Sequence, residues 1–168
     1  NVPREWALNR YGLFFEQVHS LESQCDMHII GGDLFDRLPS MEELELYFSF
    51  IREVGIPTLI YDGNHEATKK NKTFFTQLKQ VSRDINPLVK IADISYYDSD
   101  LGFSILPYAE LHREGSIEKF ISTAPLFTHV RGEIPPHVKP EVDLDRFEDF
   151  PIVFACLLYT SPSPRDRG

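Results

Sequence analysis

Two short polar stretches carry side chains able to do chemistry: Gly31-Gly32-Asp33-Leu34-Phe35-Asp36-Arg37 and Tyr61-Asp62-Gly63-Asn64-His65-Glu66. Hard divalent cations take oxygen and imidazole ligands, and a carboxylate can bridge two of them. Asp33 suits that bridge. Asn64 offers a neutral amide oxygen, which leaves a bound cation more electrophilic than a second carboxylate would. His65, one position on, projects differently and is a natural donor to a phosphate oxygen or a leaving alkoxide. Asp36 reads as a hydrogen-bonding group behind Asp33 rather than a ligand. Arg37 reads as the partner of a nearby carboxylate, with a phosphate contact as its alternative.

These residues need elements that deliver them to one place. Met27-His28-Ile29-Ile30 precedes the first stretch and Pro57-Thr58-Leu59-Ile60-Tyr61 the second, each a short run of β-forming residues. Between them Ser40-Met41-Glu42-Glu43 has capping-box spacing, and Leu44, Leu46, Tyr47, Phe50, Ile51 and Val54 keep a helical period. The unit is therefore β-loop-α-β-loop, a right-handed parallel crossover. Ligands in such sheets sit beyond the carboxyl ends of the strands, where both polar loops fall. A lone D-x-x-D-R is common in loops; G-N-H-E at the end of the next strand makes the pair functional.

Together the motifs resemble those of the calcineurin-like metallophosphoesterases: D-x-H, G-D-x-x-D-R, G-N-H-[DE], a single His after a strand, and G-x-H. The G-D-L-F-D-R form is most similar to the SbcD-type nuclease subunit of double-strand-break repair complexes, phage versions included. The resemblance implies an α/β fold of mixed sheets flanked by helices, with a partial nuclease domain over residues 1–155. It implies two divalent ions, usually manganese, and hydrolysis of DNA by activated water. The partners it implies are DNA, an SbcC-like ATPase subunit and a second copy in a homodimer. It also assigns His129, at the exit of the strand expected over residues 124–128, to the metal held by Asp33 and Asn64, with His65 as the catalytic residue. A phosphoesterase acting on phosphoproteins or nucleotides, and an inactive scaffold, are the alternative classes. D-x-H and G-x-H are not found, so truncation at both ends is expected, with one weakly bound metal and little nuclease activity. The Ser/Pro/Arg-rich residues 156–168 are expected to be foreign to the fold or disordered.

The 168 residues, 42% hydrophobic and 26% charged, suit about one globular domain. A net charge of -9 argues against a surface that wraps nucleic acid all round, while leaving room for a local basic patch. Cys25 and Cys156 fit no metal or disulfide spacing, which points to a reducing compartment, the cytoplasm. No apolar run is long enough to span a membrane.

Residues 3–24 are expected to form an amphipathic helix with Trp6, Leu13, Phe14, Val18 and Leu21 as its apolar stripe. Lys69, Lys70 and Lys72 follow the second motif and read equally as DNA contacts or as a solvated loop. Phe74 and Phe75 open a helix ending before Asn86-Pro87, with both rings in the core. Residues 88–94 and 102–106 read as a hairpin around a polar turn at 96–100. His112 reads as a surface residue, and 114–122 as a short helix with Ile117, Phe120 and Ile121 inward. Residues 150–155 read as a last strand.

Overall fold

The computed structural model describes residues 4–69, 72–123 and 153–155. Its centre is a parallel sheet in the order β1 (His28–Gly31), β2 (Thr58–Tyr61), β5 (Val89–Ala92). β2 is buried at all four positions. It must therefore be apolar on both faces, which the unbroken run Thr58-Leu59-Ile60-Tyr61 supplies. Ile60 packs on one side with Phe50, Ile51, Phe75 and Val89. Leu59 and Tyr61 pack on the other with Ala92, Phe103 and Ile105.

The crossover from β1 to β2 runs through α2 (Met41–Glu53). Its start is the expected capping box: Glu43 N donates to Ser40 Oγ at 3.3 Å, and Ser40 N donates to Glu43 Oε2 at 2.6 Å. Its end is closed by a side chain from far along the chain. Asn86 Nδ2 donates to the carbonyls of Ile51 at 2.8 Å and Val54 at 2.9 Å, satisfying acceptors that a helix end leaves open. Asn86 itself terminates α3 (Phe75–Ile85), and Tyr47 meets Ser82 at 2.8 Å between the two helices. Both phenylalanines lie inward as expected, Phe75 completely buried.

The second sheet has the order β6 (Tyr96–Asp98), β7 (Phe103–Leu106), β8 (Val153–Ala155), with β6 antiparallel and β8 parallel to β7. The expected hairpin of 88–94 with 102–106 is corrected here. Val89–Ala92 joins β2 instead, and the hairpin partner of β7 is the segment read as a turn. Only Asp98 to Gly102 turns, with Asp98 Oδ1 accepting from Asp100 N and Leu101 N and Gly102 at φ 71. The signal was in Tyr96-Tyr97, whose aromatic rings favour a strand over a turn.

α1 (Arg4–Ser20) forms as expected and is followed by a single 3-10 turn (Glu22–Gln24), but its docked face differs. Phe15 and Val18 pack on α2, Phe15 against Phe50 at 4.9 Å between centroids. Trp6, Leu13, Phe14 and Leu21 are about half exposed. The stripe omitted Phe15 and spread over a broader arc than one helix face covers. Below β1, Glu22 draws the chain together: its Oε1 meets His19 Nδ1 at 2.8 Å and His28 Nε2 at 3.2 Å, and its Oε2 accepts from Gly55 N. Burial pushes the Glu22 carboxyl up, and these three contacts outweigh it and hold the group below its ordinary range.

The segment read as a lysine loop is a small hairpin of β3 (Ala67–Lys69) and β4 (Lys72–Thr73). His112 is not a surface residue. It is half-buried at the end of the 3-10 turn Tyr108–His112, its ring edge-on to Tyr108 at 4.9 Å. α4 (Ser116–Thr123) follows, with Phe120 fully buried. Lys70, His129, the strand expected over 124–128 and the tail 156–168 lie outside the described residues.

Candidate metal centre

β1 and β2 are in parallel register, Gly31 opposite Tyr61, so their two following loops leave the sheet side by side. Gly31 leaves room for a close neighbour: a Cβ there would stand 2.5 Å from the Tyr61 hydroxyl, so a side chain would force the ring to shift. Gly32 N extends the ladder by donating to Tyr61 O, after which Gly32 and Asp33 both take left-handed backbone, at φ 66 and 52. Asp33 is the one non-glycine among the described residues with positive φ. Aspartate tolerates that region better than most residues, at a cost of order 1 kcal/mol.

The turn is held by a residue to which the motif reading gave no task. Glu66 is 1% exposed, and its carboxylate accepts from three main-chain N–H groups: Asp33 at 2.9 Å, Phe35 at 2.8 Å and Gly63 at 2.9 Å. Two donors come from the first loop and one from the second, so a single buried carboxylate ties the loops together. Burial pushes its pKa up against the pull of these donors, and the negative charge of Asp33 adds to the rise. In sequence it was visible only as the last letter of G-N-H-E.

Asp33 and the second loop meet directly. His65 N donates to Asp33 Oδ1 at 3.1 Å. The Asn64 amide sets one terminal atom 3.3 Å from both Asp33 carboxylate oxygens. With its nitrogen there, the amide donates to the carboxylate; with its oxygen there, three oxygens converge, an arrangement that a cation would hold together. A carboxylate and an amide oxygen are donors of the kind a hard divalent ion takes. Asp33 and Asn64 are the two expected ligands within the described residues, where no three His, Cys, Asp or Glu side chains gather closely enough to hold a metal.

His65 Nδ1 lies 3.3 Å from Asp36 Oδ1, which orients the ring. Arg37 Nη1 is 3.3 Å from Glu43 Oε1, pairing with the capping-box glutamate at the start of α2. Lys69 and Lys72 are exposed on the β3–β4 hairpin that leaves the second loop, opposite one another in its register.

Beneath Asn64, Asp62 is fully buried. Its Oδ2 accepts from Ala109 N at 3.0 Å, and its Oδ1 has no partner among the described residues. Burial pushes its carboxyl up to about 7, with Glu66 and Asp93 adding repulsion and hydrogen bonds from Ala109 and its own backbone pulling the other way. Its position at the end of a wholly buried strand was the one sequence signal of that environment.

Residues 5–153 match the calcineurin-like phosphoesterase family. Among individual proteins, the chain is 35% identical over 174 aligned positions to "Probable exonuclease subunit 1" of Escherichia phage T5. That alignment covers 99% of this chain and 51% of the phage protein, so the chain spans about half the length of that relative. The match over most of the sequence agrees with the two loops, the parallel crossover between them and the mixed sheets around them: this chain belongs to the calcineurin-like phosphoesterase family.

Proposed function

We propose that the function served by this domain is hydrolysis of phosphodiester bonds in DNA with two divalent ions, manganese by preference, beyond the carboxyl ends of β1 and β2, with weak metal binding and little cleavage expected of this chain by itself. The observation that carries the reading is the approach of the Asn64 amide to both Asp33 oxygens at 3.3 Å, on loops delivered by adjacent parallel strands. Bound divalent ions supply charge on the phosphoryl oxygens and a water acidic enough to attack at neutral pH. Asp33, Asn64 and His129 would hold the ions. Asp36 engages His65 Nδ1 and so leaves Nε2 for the phosphate or for the proton taken by the leaving oxygen. Glu66 fixes the main chain of both loops, which keeps the ligand spacing set before substrate arrives.

DNA as substrate is supported by the phage relative, whose name describes an exonuclease subunit. The word subunit also supports a partner, for which we assign an SbcC-like ATPase, together with a second copy of the chain in a homodimer. Lys69, Lys70 and Lys72 would meet the DNA backbone next to the cleft. The setting we assign is the cytoplasm; no helix among the described residues is long and apolar enough to cross a membrane.

The test is manganese titration by calorimetry on the chain and on Asn64→Ala, followed by cleavage of labelled linear DNA against a chromogenic small phosphodiester. Weak manganese binding that Asn64→Ala abolishes, with DNA the preferred substrate, is expected. Unaltered manganese binding in Asn64→Ala together with no cleavage of either substrate would sink the reading.

A further inference from the structure

Two grooves run along α3 and share Thr76 as a wall residue. The first, of about 550 Å³, lies between the β3–β4 hairpin, the start of α3 and the 3-10 turn after β7, with Lys72 and Arg113 in its lining. The second, of about 410 Å³, lies between α3 and β5 and carries Lys79, Arg83 and Lys90. All five cations are exposed. In a chain of net charge -9 such a sequence of grooves is an exception that asks for an anionic occupant.

The acids of the two walls are already engaged. Asp93, in the first groove, holds Lys79 at 2.6 Å and Thr76 at 3.1 Å, and Glu110 pairs with Arg113. Asp84, beside the second groove, accepts from Gln80. Lys90 lies over the Tyr96 ring at 4.3 Å, and no carboxylate pairs with Lys72, Arg83 or Lys90 among the described residues. Lys69 and Lys72 moreover face each other across the β3–β4 ladder. Like charges placed directly opposite destabilise a hairpin, and an anion between them would reverse that effect.

Position connects the grooves to the metal loops. The first groove is bounded by Phe74, whose N–H donates to the carbonyl of Glu66, and by Ala109, whose N–H donates to Asp62. Its wall is therefore the back of the second metal loop. From there Thr76, Lys79 and Arg83 continue along one side of α3. Lys79 and Arg83 are one turn apart, about 6 Å along the axis, close to the spacing of successive phosphates in an extended strand.

We propose that these grooves form one continuous track for the backbone of a single nucleic-acid strand, held by Lys72, Arg83 and Lys90, the three cations that no carboxylate engages among the described residues, with Arg113 and Lys79 lining it beside their acids. Each groove is in the size range of a small-ligand site, too confined to seat a duplex. The track rests on the reading of the protein as a DNA phosphodiesterase and extends it to a binding surface away from the metals.

The experiment measures binding of a fluorescent oligothymidylate to the full chain in excess chelator, where no metal-dependent cleavage occurs. It compares wild type, Arg83→Ala/Lys90→Ala and the control Arg52→Ala, whose side chain is exposed at the end of α2. Thermal unfolding verifies that each variant is folded. The double variant is expected to bind about tenfold more weakly at low salt, with the slope of log K against log salt reduced by about 1.4, as for two lost single-strand phosphate contacts. Arg52→Ala should behave as wild type. Equal affinity and slope in the double variant overturn the track, even if the chain cleaves DNA. Polyglutamate binding as tightly as oligothymidylate, with the same loss in the double variant, also overturns it in favour of an acidic protein segment. Oligonucleotide binding that the double variant loses, in a chain that cleaves no phosphodiester with manganese, keeps the track and removes the hydrolase reading.

Discussion

Replacing Asp62 by asparagine should remove the pH dependence that this buried acid imposes. The Asp62 carboxyl titrates at 3.8 when solvated and is pushed up to about 7 in the fold, chiefly by burial. Below about pH 4 both states hold the proton, and the group contributes no penalty. Between about 4 and 7 the folded state keeps a proton that the unfolded state has released, so stability falls as pH rises; above about 7 the whole penalty is present. A difference of about three pH units corresponds to roughly 4 kcal/mol, as an order of magnitude. Asp62→Asn removes that term, and its oxygen can still accept from Ala109 N. Its new amide nitrogen replaces Oδ1, which has no partner among the described residues, and leaving that donor unmet costs roughly 1–3 kcal/mol. Near pH 4 the protonated acid carries an unmet O–H of its own, so the variant should lie within about 1–3 kcal/mol of wild type there and gain roughly 4 kcal/mol relative to it by about pH 8. Urea unfolding followed by circular dichroism, in chelator and at pH steps across that range, measures both curves. Two curves that stay parallel from about pH 4 to 8 would refute the assignment of the slope to Asp62.

Other substitutions test the parts around it. Glu66→Gln leaves one acceptor oxygen where three main-chain donors converge, and should cost about 2–4 kcal/mol in urea unfolding while weakening manganese binding measured by calorimetry. Gly31→Ala drives a methyl into the Tyr61 hydroxyl and should cost about 1–3 kcal/mol; the double variant with Tyr61→Phe should recover part of it. Ser40→Ala removes the cap of α2, for a loss of about 1 kcal/mol without change in manganese affinity. Asn86→Ala frees two carbonyls at the other end of the same helix and should lower the urea midpoint by about 1–3 kcal/mol of stability.

What could be read in the sequence was local or periodic. The capping box of α2 depends on two residues three apart, and β2 announces itself as an unbroken apolar run between turn residues. Placing Asp33 beside Asn64 followed from those two elements alone, because a parallel crossover puts successive strand tips next to each other. What failed depended on partners elsewhere in the chain. Whether Val89–Ala92 pairs with β7 or with β2 is decided by competition for the β2 edge, which no window of local sequence contains. The docked side of α1 is chosen by Phe50 on α2, so Phe15 outweighs the more regular stripe of Trp6, Leu13 and Phe14. The engagement of Glu66 with Asp33 and Phe35 crosses more than thirty residues and could not appear as a pattern.

That engagement also explains why the centre is arranged as it is. An exposed carboxylate, Asp33, is attached through its own N–H to a buried one, Glu66, and the next strand tip buries a second, Asp62. Burial is the chief cause of the upward pKa shifts of Asp62 and Glu66, and the charge of Glu66 adds to the first as that of Asp33 adds to the second. Such repulsion lowers the stability of the fold, and a cation reaching the mouth of the sheet would relieve it. Main-chain donors compensate Glu66 fully and Asp62 only in part, while Asp33 has one oxygen on His65 N and both within reach of an amide that can turn over. Of the three, Asp33 is the carboxylate open to solvent, and a cation arriving there would relieve repulsion between charges that folding has already brought together. On that argument, a ligand that binds the folded chain alone must raise its stability. Manganese should increase the thermal midpoint of wild type, and the increase should vanish in Asn64→Ala, whose carboxylates, buried Asp62 and Glu66 and exposed Asp33, are intact; a full increase in that variant would mean that the carboxylates suffice without the amide and that Asn64 is no ligand.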